Sequence, residues 1–481
     1  MRTRVAAALA FTTSAAVLVL EILAGRLLAP YVGVSLETFT AIVGTVLAGI
    51  ASGSALGGWS ADRVEPRLLI GPFVFLGGVL ALVSLVIVSV LGPSVAGGGP
   101  GALVLLTATA FFLPAAVLSA VTPMAAKARL GSLEETGTVV GGLSAAATTG
   151  ALVGTFATGF VLVAALPTRP IVIGLGAALT AGGVVLWWRW GAGRPGATLG
   201  AAAVLAASGA LALPGPCQQE TAYFCVTVRV DPSHASGRVL LLDTLRHSYV
   251  DLDDPTHLEF RYTRVMADVL DATAPPGAPV DVLHIGGGGF TFPRYVAATR
   301  PESTNVVLEL DPELVRIAEE ELSLERGPGL SVRVGDARTA LAGERTDSYQ
   351  LVVGDAFGGL AVPWHLATTE VVEEVARVLR PGGRYVLNVI DGGPYRFVRA
   401  EAATLAAVFD HVAVVVPPPG QRGPGPVNHV LVGSDAPLGL GGRVGPGDGE
   451  VLAGAAVDGF VDGARPLVDD FAPVDQLITR R

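Results

Sequence analysis

The sequence predicts two regions of different fold class: an all-α, polytopic membrane bundle of about seven helices over residues 1–214, and an α/β region built on a doubly wound parallel sheet after it. Three observations predict this. Charge is unevenly spread: residues 1–214 hold ten of the 32 Lys and Arg and six of the 42 Asp and Glu, leaving the rest of the chain with a formal −14. Long apolar runs fill the first region. After Pro214 the pattern turns to short β-type runs, and from Val280 strand and helix signals alternate.

The apolar stretches run at about 5–29, 38–60, 68–92, 102–125, 138–165, 169–188 and 197–213. At 1.5 Å per residue, about 20 residues cross a hydrocarbon core of roughly 30 Å. The first stretch is too long for a cleaved signal peptide and is followed by further spans, so it is expected to stay in the protein. Charge breaks the pattern at 61–67, and Gly and Pro break it at 92–101. Small residues, as at Gly141-Gly142 and from Gly150 to Gly154, suit close helix packing. Pro114 and Pro123 are expected to kink the fourth span. Arg2, Arg4, Arg63, Arg67, Lys127, Arg129, Arg189 and Arg194 fall on one side of this arrangement, and Arg169 on the other. The bias predicts a cytoplasmic N-terminus, and seven crossings then leave the second region outside the cytoplasm. Glu21 and Arg26, inside the first span, read either as an internal ion pair with Arg26 reaching the interface or as a buried polar site.

An acidic second region repels nucleic-acid phosphates and attracts cations, polyamines included; a solvated acidic surface is the alternative. Cys217 and Cys225, the two cysteines of the chain, are too few for a zinc cluster. Their proximity fits a disulfide in an oxidising compartment, or two reduced cysteines.

The second region opens with a predicted hairpin, Ala222–Val230 and Arg238–Asp243. Strands are predicted at Asp281–Ile285, Asn305–Leu310, Ser331–Val334, Tyr349–Val353, Arg384–Val389, His411–Val416 and Val427–Val432. Helices fall between them, as at Pro312–Leu322 and at Thr369–Leu379, the latter stopped by Arg380-Pro381-Gly382-Gly383. The strand ending at Ile285 runs into Gly286, Gly287, Gly288 and Gly289, where glycine lets the backbone approach a ligand closely. Glu309 ends the next strand, where an acid can bind ribose hydroxyls; Asp336 follows the third and Asp355 closes the fourth. Acids at successive carboxyl ends of parallel strands share one crevice; the alternative is that they are strand-end turn residues.

The segments Val-Leu-His-Ile-Gly-Gly-Gly-Gly (282–289), Val-Leu-Glu-Leu-Asp (307–311), Val-Gly-Asp-Ala-Arg (334–338) and Val-Val-Gly-Asp-Ala-Phe (352–357) resemble the successive motifs of spermidine synthases, which are aminopropyltransferases on a Rossmann-like methyltransferase fold. The likeness covers roughly 215–435 and implies a division into a transmembrane domain (1–214), a β-hairpin entry region (215–275) and a Rossmann-like domain (276–481). With Arg26-Leu-Leu-Ala-Pro-Tyr-Val-Gly near the end of the first span, the whole resembles the family's transmembrane type. The resemblance implies that Glu309 holds the ribose of an S-adenosyl-type nucleotide, that Asp336 and Ala337 contact its adenine, and that Gly286 to Gly288 line its amino-acid or aminopropyl end, with Gly289 completing the nucleotide loop. It further implies that Asp355 faces the reacting centre and that Tyr262 is the polyamine-site tyrosine. The co-substrate would be decarboxylated S-adenosylmethionine or S-adenosylmethionine, with no metal. The implied chemistry is attack by an amine on the carbon beside a sulfonium, which asks mainly for alignment and for a carboxylate to take the proton.

Three positions depart from the family pattern: Gly289 and Gly358 stand where acids are usual, and Thr263-Arg264 replaces a His-Glu pair. His365 is a candidate replacement base. Tyr249 with Asp251, Asp253 and Asp254, or Asp469, Asp470 and Asp475, are candidate amine sites or else solvated turns. The expected partners are a cationic amine such as a polyamine and the lipid bilayer, with a homo-oligomer allowed for. Three readings follow: aminopropyl transfer, methyl transfer in the same crevice, or a non-catalytic binding domain coupled to a transporter-like bundle.

Overall fold

The computed structural model describes residues 1–33, 35–95, 99–191, 197–422, 425–445 and 447–479. Arg194 lies outside the described residues. The chain forms two compact units, Met1–Cys225 and Val226–Arg481.

Among the described residues, six helices of the first unit are long and apolar enough to cross a membrane: Thr3–Val32, Leu36–Ala61, Pro66–Val95, Pro100–Arg129, Thr136–Ala165 and Thr168–Trp190. The expected seventh span is instead a 16-residue helix, Ala197–Ala212, about 24 Å long at 1.5 Å per residue. The fourth helix is interrupted twice, by a π turn at Ala108–Phe112 just before Pro114 and by a break at Ala120 just before Pro123. Each proline lacks the N–H that would continue the ladder, which accounts for the two interruptions. Gly150 and Gly154 lie against the backbone of Phe11 and Ala15, whereas Gly141 and Gly142 face open space and mark no packing seam.

Polar contacts fix the two faces of this bundle. On one, the Met1 ammonium donates to the Ala128 carbonyl, Arg129 to Thr3, and Lys127 pairs with Asp62. On the other, Gly92 packs against the Tyr31 ring, and Arg169 donates to Ser89 and to the carbonyls of Ala210 and Leu213. The short helix therefore starts after the far end of Thr168–Trp190 and returns to the face opposite Met1. There a two-residue strand, β1 (Gln219–Glu220), follows, and a disulfide joins Cys217 to Cys225. Arg26 does not pair with Glu21. Its guanidinium reaches Glu220 at 3.1 Å and the carbonyls of Thr221 and Ala222, while the same Glu220 accepts from the Thr168 N–H and hydroxyl. A charge near the end of the first helix is satisfied by the segment that follows the last helix, not by its own helix.

The second unit begins with antiparallel strands β2 (Cys225–Asp231), β3 (His234–Leu242) and β4 (Leu245–Asp251). An eight-stranded sheet follows, made of β5 (Asp281–Ile285), β6 (Thr304–Glu309), β7 (Leu330–Val334), β8 (Tyr349–Gly354), β9 (Leu379–Asp391), β10 (His411–Val416), β11 (Val427–Ser434) and β12 (Glu450–Ala453), in the order β12-β10-β11-β9-β8-β5-β6-β7. The strands β5 to β9 are parallel neighbours, but β11 is antiparallel to both β9 and β10, and β12 is antiparallel to β10. The sheet is thus mixed, correcting the parallel expectation. The segment 417–426 between β10 and β11 is too short for a crossover helix, so the chain turns back antiparallel.

Alternate residues of each central strand face opposite layers. Val282, Leu351, Val353, Val386 and Val430 meet the helices Arg261–Thr273 and Thr291–Thr299; Leu283, Val352, Leu387 and Val389 meet Thr369–Val378 and Arg396–Ala406. Burial on both faces leaves the carboxyl edge of the parallel strands as the exposed working surface.

Candidate functional site

The strand order β7-β6-β5-β8-β9 sets five chemical groups side by side at that edge: Asp336 after β7, Glu309 on β6, the glycine loop after β5, Asp355 after β8 and Asn388 on β9. Backbone bonds tie the row together: Gly335 N–H to Glu309, Gly286 N–H to Leu308, and Asp355 N–H to Ile285, at 2.8–2.9 Å.

Gly286 takes φ +96° and Gly288 φ +51°. A Cβ on Gly286 would collide with the Asp355 carbonyl oxygen. Glycine is needed there both for conformation and for the close approach of two strand ends. Phe290, itself left-handed, is fully buried with its ring beneath Gly287, filling the position next to the missing acid at Gly289 with apolar bulk. The N–H of Gly289 donates to Ser248 on β4.

Glu309 is buried, and its carboxylate gathers three backbone donors: Gly287 at 2.8 Å, Gly288 at 3.3 Å and Asp311 at 2.9 Å. Burial pushes its carboxyl above the usual range, opposed by those N–H groups. Asp336 caps the helix Ala337–Ala342 through the Thr339 N–H and holds the His365 imidazole at 3.0 Å. Burial raises its carboxyl, but the Thr339 and His365 bonds outweigh that and leave it below its ordinary value. Ala337 is buried at the start of that helix. His365 therefore sits beside the predicted adenine acid, not beside Asp355.

Asp355 is held on both oxygens, by the Tyr262 hydroxyl at 3.2 Å and the Asn388 amide at 2.9 Å. Burial lifts its carboxyl from 3.8 to about 6, with the two hydrogen bonds acting against the rise. It forms one wall of a cavity of about 150 Å³, which Tyr262, Arg246, His247, Phe357 and Asn428 also line. Asn428 donates to Asn388 at 3.1 Å, so a chain of amides leads from β11 to Asp355. Burial drives the His247 imidazole down to about 4, so it is neutral at physiological pH.

Other expected residues lie elsewhere. Tyr249 is buried on β4 with its hydroxyl on Asp231 at 3.0 Å, and does not line the cavity. Asp251 is engaged by His234 at 2.6 Å and by the N–H groups of Asp253 and Asp254, which makes a structured turn. Asp469 is taken up by Arg338 and Thr368. Arg246, Asn388 and Asn428 were not foreseen. The two asparagines left a signal, since each interrupts or borders a strand of Val, Leu and Ile where a polar residue needs a partner.

No family model matches the chain. It is 33% identical over 133 residues to a polyamine aminopropyltransferase of Vibrio vulnificus, covering 27% of this chain and 44% of that protein. It is 30% identical over 142 residues to one from Chromobacterium violaceum, covering 29% and 53%. The chain thus spans about half the length of the curated relatives it matches. Among solved structures, a probable spermidine synthase from Corynebacterium glutamicum is 29% identical, with a TM-score of 0.49, over 53% of this chain and 97% of that one. The C-terminal part of this chain is homologous to the polyamine aminopropyltransferases.

Proposed function

We propose that residues 226–481 bind an S-adenosyl-type nucleotide and transfer its aminopropyl group to an amine, and that the helices of residues 1–225 anchor them in a bilayer. The observation that carries the reading is Asp355: an acid lifted to about 6 on a cavity wall, one strand from the glycine loop. Glu309 would take a ribose hydroxyl, since three backbone donors leave room on a carboxylate with about four acceptor sites. Asp336 and Ala337 would meet the adenine, and Gly286 to Gly288 the arm that ends at the sulfonium. The amine enters from the cavity, and Asp355 accepts its proton while Tyr262 and Asn388 keep the carboxylate in place. The test incubates the purified full chain with decarboxylated S-adenosylmethionine and an amine. Release of methylthioadenosine supports the reading; a methylated product from S-adenosylmethionine turns it to methyl transfer, and amine binding without nucleotide binding sinks both.

The anchor crosses the bilayer seven times, with Met1 cytoplasmic and Cys225 leaving on the other side. The return of the short helix to the Arg169 face supports the odd count, and the cysteine pairing suits an oxidising compartment. On this topology the sulfonium nucleotide has to be supplied on the outer side. Labelling of a tag at the C-terminus in intact cells tests it; protection of the tag would overturn the topology and leave the transfer reading standing.

A further inference from the structure

The walls of the cavity at Asp355 carry one carboxylate and one guanidinium. Arg246 enters from β4, with its guanidinium carbon 5.5 Å over the Phe260 ring, and among the described residues it has no carboxylate within ion-pair distance. Arg264, which stands where the sequence pattern expected an acid, is turned away onto Asp448 at 2.8 Å. The remaining polar lining, His247, Tyr262, Asn388 and Asn428, brings no fixed negative charge.

A di- or tri-cationic polyamine has no second anion to meet in such a pocket, and its far ammonium would lie against Arg246. A ligand with one amine and one anionic end matches both walls, because a guanidinium with open donors binds carboxylate or a similar oxyanion bidentately. We infer that the acceptor is a small amino acid-like molecule whose anionic group sits on Arg246 and whose amine faces Asp355, so that Arg246 determines acceptor specificity. The inference rests on the transfer reading for its chemistry. The nitrogen lone pair forms the new C–N bond at the methylene beside sulfur. The C–S bond breaks with its electron pair left on sulfur, giving a neutral thioether, and the proton shed by the new ammonium goes to the Asp355 carboxylate.

The experiment measures binding of γ-aminobutyrate and of putrescine to the purified full chain by calorimetry, with no turnover required. The same is repeated on Arg246→Gln and Arg246→Glu, with Glu320→Gln, an exposed side chain paired with Arg316, as a variant outside the cavity. The expected result is γ-aminobutyrate binding at least tenfold tighter than putrescine, loss of that preference in Arg246→Gln, its reversal in Arg246→Glu, and no change in Glu320→Gln. Tighter putrescine binding by the unmodified chain, no binding of either amine, or indifference to Arg246→Glu would each overturn the inference. If γ-aminobutyrate binds through Arg246 yet no methylthioadenosine is released with decarboxylated S-adenosylmethionine, the specificity inference stands and the transfer reading falls.

Discussion

Replacing Asp355 by Asn separates what the acid does for function from what it does to the fold. Its carboxyl is lifted from 3.8 to about 6, and at about 1.4 kcal/mol per pH unit this makes the ionised form about 3 kcal/mol less favourable in the folded unit. The direction follows from the rise. The stabilising contribution of protonated Asp355 is complete below 3.8, declines between 3.8 and about 6, and is gone above that, so at pH 7 the native state carries the full cost of ionisation. Asn keeps both hydrogen bonds: its oxygen accepts from Asn388 and its amide donates to the Tyr262 oxygen. Asp355→Asn should therefore stabilise the unit by up to about 3 kcal/mol at pH 7, a rise in Tm of roughly 5–10 °C, and by nothing at pH 3.5. The assay is thermal unfolding of the full chain at several pH values, followed by the near-ultraviolet signal of the second unit. Product release should fall at least a hundredfold in the same variant, and the acid limb near pH 6 in the rate profile of the unmodified chain should disappear. A variant equally or less stable at pH 7, or a stability gain independent of pH, would refute the account of Asp355 as a buried acid held against its preference.

Further outcomes follow from other contacts. Gly286→Ala should abolish nucleotide binding, measured by calorimetry, because the new methyl meets the Asp355 carbonyl at a backbone angle of +96°. Glu309→Ala leaves three N–H groups without their acceptor and should cost about 1–3 kcal/mol in denaturant unfolding, with loss of nucleotide affinity. Cys217→Ser should free one alkylatable thiol, read by mass spectrometry, and cost about 2–3 kcal/mol by the loop-closure estimate for so short a ring. Glu220→Ala takes the counter-ion from Arg26 and removes the acceptor of the Thr168 N–H, so limited proteolysis should cut within 213–225 at least tenfold faster.

Strands that end in glycine and acid motifs were legible because one period and one set of end residues identify each of them. Asp281–Ile285 and His411–Val416 match the structure residue for residue, β7 and β8 differ by a residue at one end, and β6 is shifted by a residue at both ends. The pairing of Glu309 with the loop at Gly287 was legible for the same reason. The lining of the cavity at Asp355 was not, because it is assembled from distant strands. Arg246 lies on β4, which no sequence signal marked as a third hairpin strand, and Asn428 comes next to Asn388 only because β11 inserts between β9 and β10. Tyr249 and His365 stay out of the cavity lining at Asp355 for a related reason. Nearness in sequence to a motif does not give the direction of a side chain, and both turn to other carboxylates, Asp231 and Asp336. Arg26 shows the converse: its partner lies 194 residues away.

The short helix Ala197–Ala212 has one more consequence. At about 24 Å it falls roughly 6 Å below the thickness of an ordinary hydrocarbon core, and Arg169, gripping the carbonyls of Ala210 and Leu213, stops it from sliding to share the deficit between its ends. On the proposed seven-crossing topology, the lipid beside it has to give way by thinning. The anchor should then favour thin, short-chain bilayers, and in long-chain lipid the mismatch would pull on the very segment that leads from the last helix to the disulfide.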